Sequence, residues 1–304
     1  MIINEYNNTL QKIKGYVEKK SPTFGEFIEN ASTFYSDRTS IKLTRKKSQS
    51  LLAEGVPLFN NIEIETINRC NGKCSFCPVN RNNDNREYKL MDEELFKSIL
   101  DQLYELDYSG SLGMYSNNEP LLDKRIIKLT KQARDKLPKC TLYMYTNGTL
   151  LTSDKFKELI EYLDFLVIDC YNDELKLTDN IKSIHDYSIH NDLENKVLIY
   201  LRKENEILGN RAGQAKNRNT LPFIMKSACL LPFEQLIVRS NGKVGLCCFD
   251  ALGEMTMGDL RKETIQSVWY NEKYNKIREI MSSDRSRIPL CEKCDSVIPQ
   301  VSIR

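Results

Sequence analysis

The chain is predicted to be an α/β protein, built of βα units around a parallel sheet or barrel, with a small metal-stapled domain at its C-terminal end. Two observations predict the first part. Apolar runs of strand length alternate with helix-period segments between residues 61 and 201, and polar residues and turn signals stand at the ends of the strands. A third observation predicts the rest. Near residue 205 the alternation stops, and short apolar pieces separated by Pro, Gly and Cys take over.

The elements follow in order. NIEIETI (61–67) alternates apolar and polar residues as a half-buried strand does. Leu95, Ile99, Leu103 and Leu106 recur at helical spacing within 91–106, and Asp92, Glu93 and Glu94 suit the positive end of that helix. SGSLGMYSN (109–117) reads as a strand with its exit loop, and a helix at about 123–136 follows. TLYMYT (141–146) is a strand ending in the turn signal Asn147-Gly148. A helix over roughly 152–162, capped by Thr152 or Ser153, leads to the buried strand FLVIDC (165–170). A helical stretch at about 177–190 and the strand VLIYL (197–201) complete the run. Residues 1–60 are a polar accessory lead-in, 61–205 the βα unit and 206–304 the C-terminal domain, where one helix is expected at about 259–280.

Bulk properties exclude several classes. Lys plus Arg number 44 against 42 Asp plus Glu, a net charge of +2, so nothing argues for nucleic acid. The basic run Lys42, Arg45, Lys46 and Lys47 reads as a solvated surface. The N-terminus is polar with no apolar signal-peptide core, and no stretch is long and apolar enough to span a membrane. The expected location is the cytoplasm, where thiols stay reduced, so ten cysteines need an explanation other than disulfides.

Cys70, Cys74 and Cys77 sit directly after the first strand at spacings of four and three residues. Soft thiolates select zinc or iron–sulfur. Structural zinc wants four ligands, and no fourth Cys or His is near in sequence. A 4Fe–4S cluster can be held by three cysteines with one iron left open. A second group, Cys229, Cys247, Cys291 and Cys294, closes on a CxxC pair. Asn241-Gly242 predicts a hairpin that delivers Cys247, and four thiolates would suit zinc as well as a cluster.

Cys70, Cys74, Phe76 and Cys77 resemble the CxxxCxΦC signature of the radical S-adenosylmethionine (SAM) superfamily. The resemblance implies a partial (β/α)6 TIM-like barrel over roughly 60–205, with SAM on the open iron and Phe76 near its adenine. Ser116-Asn117-Asn118-Glu119-Pro120 resembles that family's GGEP stretch, with asparagines in place of the glycines. It implies that Glu119, with Asn118 beside it, binds the methionine end of SAM. Thr146-Asn147-Gly148 resembles the family's TNG, which implies a site-lining Asn147, although a plain turn would read the same way. The later cysteines resemble the SPASM/twitch class of auxiliary-cluster domains. That implies a second 4Fe–4S cluster on Cys229, Cys247, Cys291 and Cys294, in the shortened single-cluster form.

The resemblance therefore implies an enzyme that cleaves SAM to a 5′-deoxyadenosyl radical and takes a hydrogen atom from a substrate carbon. The leading expectation is epimerisation, with Cys248 as hydrogen donor and Cys170 as the second choice. The alternatives are a dehydrogenase for a secondary alcohol of a sugar or cyclitol, a peptide maturase, and a zinc-bound interaction module. Asp169 is a candidate base or a helix cap, and Arg211 a candidate for orienting substrate or the SAM carboxylate. Flavodoxin or ferredoxin is the expected electron donor.

Overall fold

The computed structural model describes residues 1–4 and 21–296. Parts of the expected lead-in (5–20) and of the C-terminal domain (297–304) lie outside the described residues. In chain order the elements are strand β1 (Ile2–Ile3), helix α1 (Pro22–Glu54), β2 (Asn61–Ile64), α2 (Glu93–Glu105), β3 (Ser111–Gly113), α3 (Ile126–Lys136), β4 (Thr141–Thr146), α4 (Ser153–Tyr162), β5 (Phe165–Tyr171), α5 (Asp179–His190) and β6 (Val197–Arg202). There follow α6 (Leu231–Glu234), β7 (Gln235–Val238), β8 (Lys243–Gly245), β9 (Thr256–Asp259), α7 (Ile265–Trp269), α8 (Glu272–Ser283) and α9 (Pro289–Glu292).

The strands form one open sheet in the order β1-β6-β5-β4-β3-β2-β7-β8-β9. β2 to β6 are parallel neighbours, as the βα alternation predicts, and the sheet does not close, as a partial barrel requires. Beyond residue 205 the chain returns to this sheet, with β7 parallel to β2 and Glu63 opposite Ile237. A hairpin follows, turning at Gly242 with φ of +82° before β8 runs back antiparallel to β7.

The helices bury the stripe the periodicity marks. On α2 the marked Leu95, Ile99 and Leu103 are buried, with Phe96 and Leu100 beside them, over Ile62, Ile64 and Leu112 in the common core. Leu106 is the partly buried residue that ends the helix. Thr152 caps α4, its hydroxyl accepting from Lys155 N at 3.3 Å. The single helix expected at 259–280 is two helices preceded by a strand. Asn271 breaks it by capping α8, its Oδ1 accepting from Tyr274 N at 2.7 Å. Within the expected accessory lead-in, residues 22–54 form one 33-residue helix.

Candidate active site

The C-terminal ends of β2 to β6 surround a cavity of about 370 Å³, within the usual range for a small-molecule pocket. Cys70, Cys74, Phe76 and Cys77 line one side of it. Their loop folds on itself. Cys77 N donates to Cys74 O at 3.2 Å, and Asn80 Nδ2 donates to the carbonyls of Cys74 and Cys77 at 3.0 and 2.7 Å. Gly72 N points at Cys70 Sγ, 3.3 Å away, and a Cβ on Gly72 would stand 3.3 Å from that sulfur and 3.7 Å from Cys74 Sγ. Burial pushes the thiols of Cys70 and Cys74 up to about 12, with repulsion from Cys77 adding to it. A cationic centre is what lets these two thiols ionise, and with Cys77 beside them the donor set fits a cluster.

Glu119 is 1 % exposed and ties two strand ends together. Its Oε1 accepts from Thr146 Oγ1 at 2.7 Å and Leu121 N at 3.1 Å, and its Oε2 from Asn147 N at 2.8 Å. Asn147 Nδ2 in turn donates to Asn71 Oδ1 at 2.8 Å, fastening the cysteine loop to β4. Asn118 is also in the wall, and its buried Nδ2 has no partner. An orphaned donor beside Glu119 fits an acceptor such as a ligand carboxylate. Phe76 packs on Tyr171 with ring centroids 5.8 Å apart.

Arg211, Cys248, Tyr115, Tyr145 and Glu63 also line the cavity. Arg211 sits in a turn of positive φ (49°) with its guanidinium over the Phe249 ring. The adjoining Asn210 is pinned to the closing cysteine pair, donating from Nδ2 to Lys293 O at 2.7 Å. Asp169 is less available as a base than its position implied, because Arg202 Nε donates to its Oδ1 at 2.9 Å. Cys170 lies in the hydrophobic core outside the cavity lining, which removes it as a hydrogen donor.

Glu63 is the residue that sequence reasoning missed. It is 5 % exposed, and its partners are neutral: Ser116 Oγ donates to Oε2 and Gln235 Nε2 to Oε1, each at 2.9 Å. Burial pushes its carboxyl up to about 7, against the Ser116 hydrogen bond and the Arg211 charge. The alternation in NIEIETI places Glu63 and Glu65 on the face opposite Ile62 and Ile64. That face turns out to look inward, since Glu63 lines the cavity and Glu65 is buried as well.

Cys229, Cys247, Cys291 and Cys294 line a second, smaller chamber, and Cys248 lines the first. The hairpin thus separates neighbours that the sequence could have exchanged. Arg285 joins the four cysteines in that chamber, 2 % exposed. Its Nη1 donates to Ser296 O at 3.0 Å, while its Nε has no partner. An orphaned cationic donor among four thiols fits an anionic, sulfur-rich group.

Comparison with known proteins agrees with this geometry. Residues 64–188 match the radical SAM superfamily, and residues 229–295 match SPASM, an iron–sulfur cluster-binding domain. The chain is 29% identical over 248 residues to an S-adenosyl-L-methionine-dependent 2-deoxy-scyllo-inosamine dehydrogenase of Niallia circulans, covering 80% of this chain and 95% of that protein. Its structure is similar to that of BtrN in complex with AdoMet and 2-DOIA, with a TM-score of 0.71 and 26% identity over 81% of this chain and 97% of the other. Streptococcus suis SuiB bound to precursor peptide SuiA shares the fold, with a TM-score of 0.50 and 16% identity over 82% and 74% of the two chains. No helix among the described residues is long and apolar enough to cross a membrane.

Proposed function

Because this chain belongs to the radical SAM superfamily and carries a SPASM-type domain, with SAM and two 4Fe–4S clusters as cofactors, we propose that it is a dehydrogenase. Its substrate class is a secondary alcohol on a cyclitol or aminocyclitol, oxidised to the ketone. The carrying observation is that Cys248 lines the large cavity while the adjacent Cys247 lines the chamber of the second cysteine set. A substrate against Cys248 lies one residue from a ligand of the auxiliary cluster. That proximity serves removal of an electron, and the likeness to the inosamine dehydrogenase supports the same outcome. The expectation of epimerisation is accordingly replaced.

When bound, SAM and the first cluster supply a 5′-deoxyadenosyl radical that removes the carbinol hydrogen, and the second cluster supplies an acceptor for the remaining electron. Loss of a hydrogen atom, a proton and an electron turns H–C–O–H into C=O. The protein's part is to hold the alcohol and take the proton. Glu63, with a carboxyl near 7, takes the hydroxyl proton at Oε, oriented by Ser116 and Gln235. Arg211 holds the alcohol oxygen and favours the ionised form of Glu63. Tyr115 and Tyr145, with ring centroids 4.7 Å apart, wall the cavity, and Asn118 Nδ2 and Glu119 receive the methionine end of SAM. Cys70, Cys74 and Cys77 would hold the first cluster, to which a flavodoxin or ferredoxin would supply an electron.

The test is anaerobic turnover of the reconstituted enzyme with 2-deoxy-scyllo-inosamine and related cyclitols carrying deuterium at each carbinol carbon. The expected result is a product two hydrogens lighter and one deuterium delivered to 5′-deoxyadenosine. A product that is still the alcohol, one mass unit lighter because its carbinol deuterium has been exchanged for a solvent hydrogen, would replace oxidation by epimerisation.

A further inference from the structure

Helix α1 precedes both family-matched segments, which begin at residues 64 and 229. The BtrN complex is covered over 97% of its length by 81% of this chain, so about a fifth of this chain has no counterpart there. The helix is unusual in what it buries. Phe27, Tyr35 and Leu43 are exposed, whereas Asp37, Thr44 and Ser48 are each 0 % exposed. A buried carboxylate is costly unless its oxygens are satisfied, so its partners define its purpose.

Of three consecutive backbone amides, two go to Asp37 and the third to Thr44. Lys226 N donates to Asp37 Oδ1 and Oδ2, both at 3.0 Å, and Ser227 N donates to Oδ1 at 2.8 Å. Ala228 N donates to Thr44 Oγ1 at 3.1 Å. Arg45 closes the grip by donating from Nε and Nη2 to Lys226 O at 3.2 and 3.0 Å. Lys47 pairs with Glu234 at 2.6 Å, at the end of the short helix that follows Cys229. The basic run is therefore half consumed in holding this region. No helix or strand covers 226–228, and the next residue is Cys229. The Asp37 charge also favours the protonated form of Arg285, the cation of the auxiliary chamber.

We infer that α1 is a built-in clamp for the auxiliary cluster, with Asp37 and Thr44 as positioning residues that hold the 226–228 backbone so that Cys229 meets Cys247, Cys291 and Cys294. The inference rests on the two-cluster assignment and not on the substrate, and its readouts need no substrate.

The experiment compares wild type with Asp37→Ala, Thr44→Val, Thr44→Ser and, as a control on the exposed face, Leu43→Ser, all as reconstituted full chains. Iron and sulfide content, hydrogen exchange of residues 226–228 and reductive cleavage of SAM are measured together. Asp37→Ala and Thr44→Val should lose amide protection at 226–228 and up to about half of the iron and sulfide, while SAM cleavage persists. Thr44→Ser should restore both, and Leu43→Ser should match wild type. Thr44→Val changes no volume to speak of, so it tests the clamp even where Asp37→Ala fails to fold. Full iron content with unchanged protection in Thr44→Val overturns the inference, as does parallel loss of both clusters from a folded Asp37→Ala.

Discussion

Gln235 Nε2 donates to Glu63 Oε1 at 2.9 Å, linking the strand that returns from the cluster-bearing segment to the first strand of the barrel. The carboxylate at the cavity wall is thus oriented by the same part of the chain that carries the second cysteine set.

Glu63→Gln should reduce ketone formation about 100-fold or more, the usual contribution of a positioned base. Formation of 5′-deoxyadenosine should fall much less. In the wild type, product formation should rise with pH through about 7 as Glu63 ionises, and this limb should be absent from Glu63→Gln. Product and deoxyadenosine measured separately across pH decide the matter.

The same group affects stability with the opposite sign. Its folded value of about 7 lies above its ordinary 4.5, so the native state holds the proton longer than the unfolded chain does. Stability present below about 4.5 is lost as pH rises through 7, by on the order of 3 kcal/mol. Glu63→Gln should therefore gain thermal stability relative to wild type at pH 8 and little at pH 5, as calorimetry would show.

Cys248→Ala should keep both clusters and retain turnover, with no solvent deuterium in the product. Cys247→Ala, one residue earlier, should lose auxiliary iron and ketone formation while SAM cleavage continues. Equal iron loss in the two variants would contradict the separate chambers.

Any one of Cys70→Ala, Cys74→Ala and Cys77→Ala should abolish SAM cleavage, because each removes a ligand from a site with only three. The companion change Cys291→Ala should spare it. The two series are separated by deoxyadenosine yield on chemical reduction.

Gly148→Ala should destabilise the fold by about 2 kcal/mol or more. Gly148 has φ of +72°, and an added Cβ would lie 2.7 Å from Ile181 Cδ1 and 2.8 Å from Ile168 Cγ2. Denaturant unfolding measures it.

Much of this was legible in the sequence because the signals were local. The period-two run at 61–67, the helical spacing on α2 and the turn at Gly242 each encode their own element. The cysteine spacing needs one loop only. What was hidden depended on distant pairing. Asp169 and Arg202 lie 33 residues apart, and their ion pair follows only from β5 lying beside β6. Glu63 looked solvent-facing because alternation tells which residues share a face, not what that face meets. The buried polar face of α1 has no apolar period to announce it, since its partners are amides about 190 positions away.

The division between Cys247 and Cys248 makes the partition between the two chambers a single backbone step thick. A side chain at position 248 can change the room left for a substrate without altering any ligand of the cluster behind it. Position 248 thus bears on the shape of the larger cavity, and position 247 on the smaller chamber behind it.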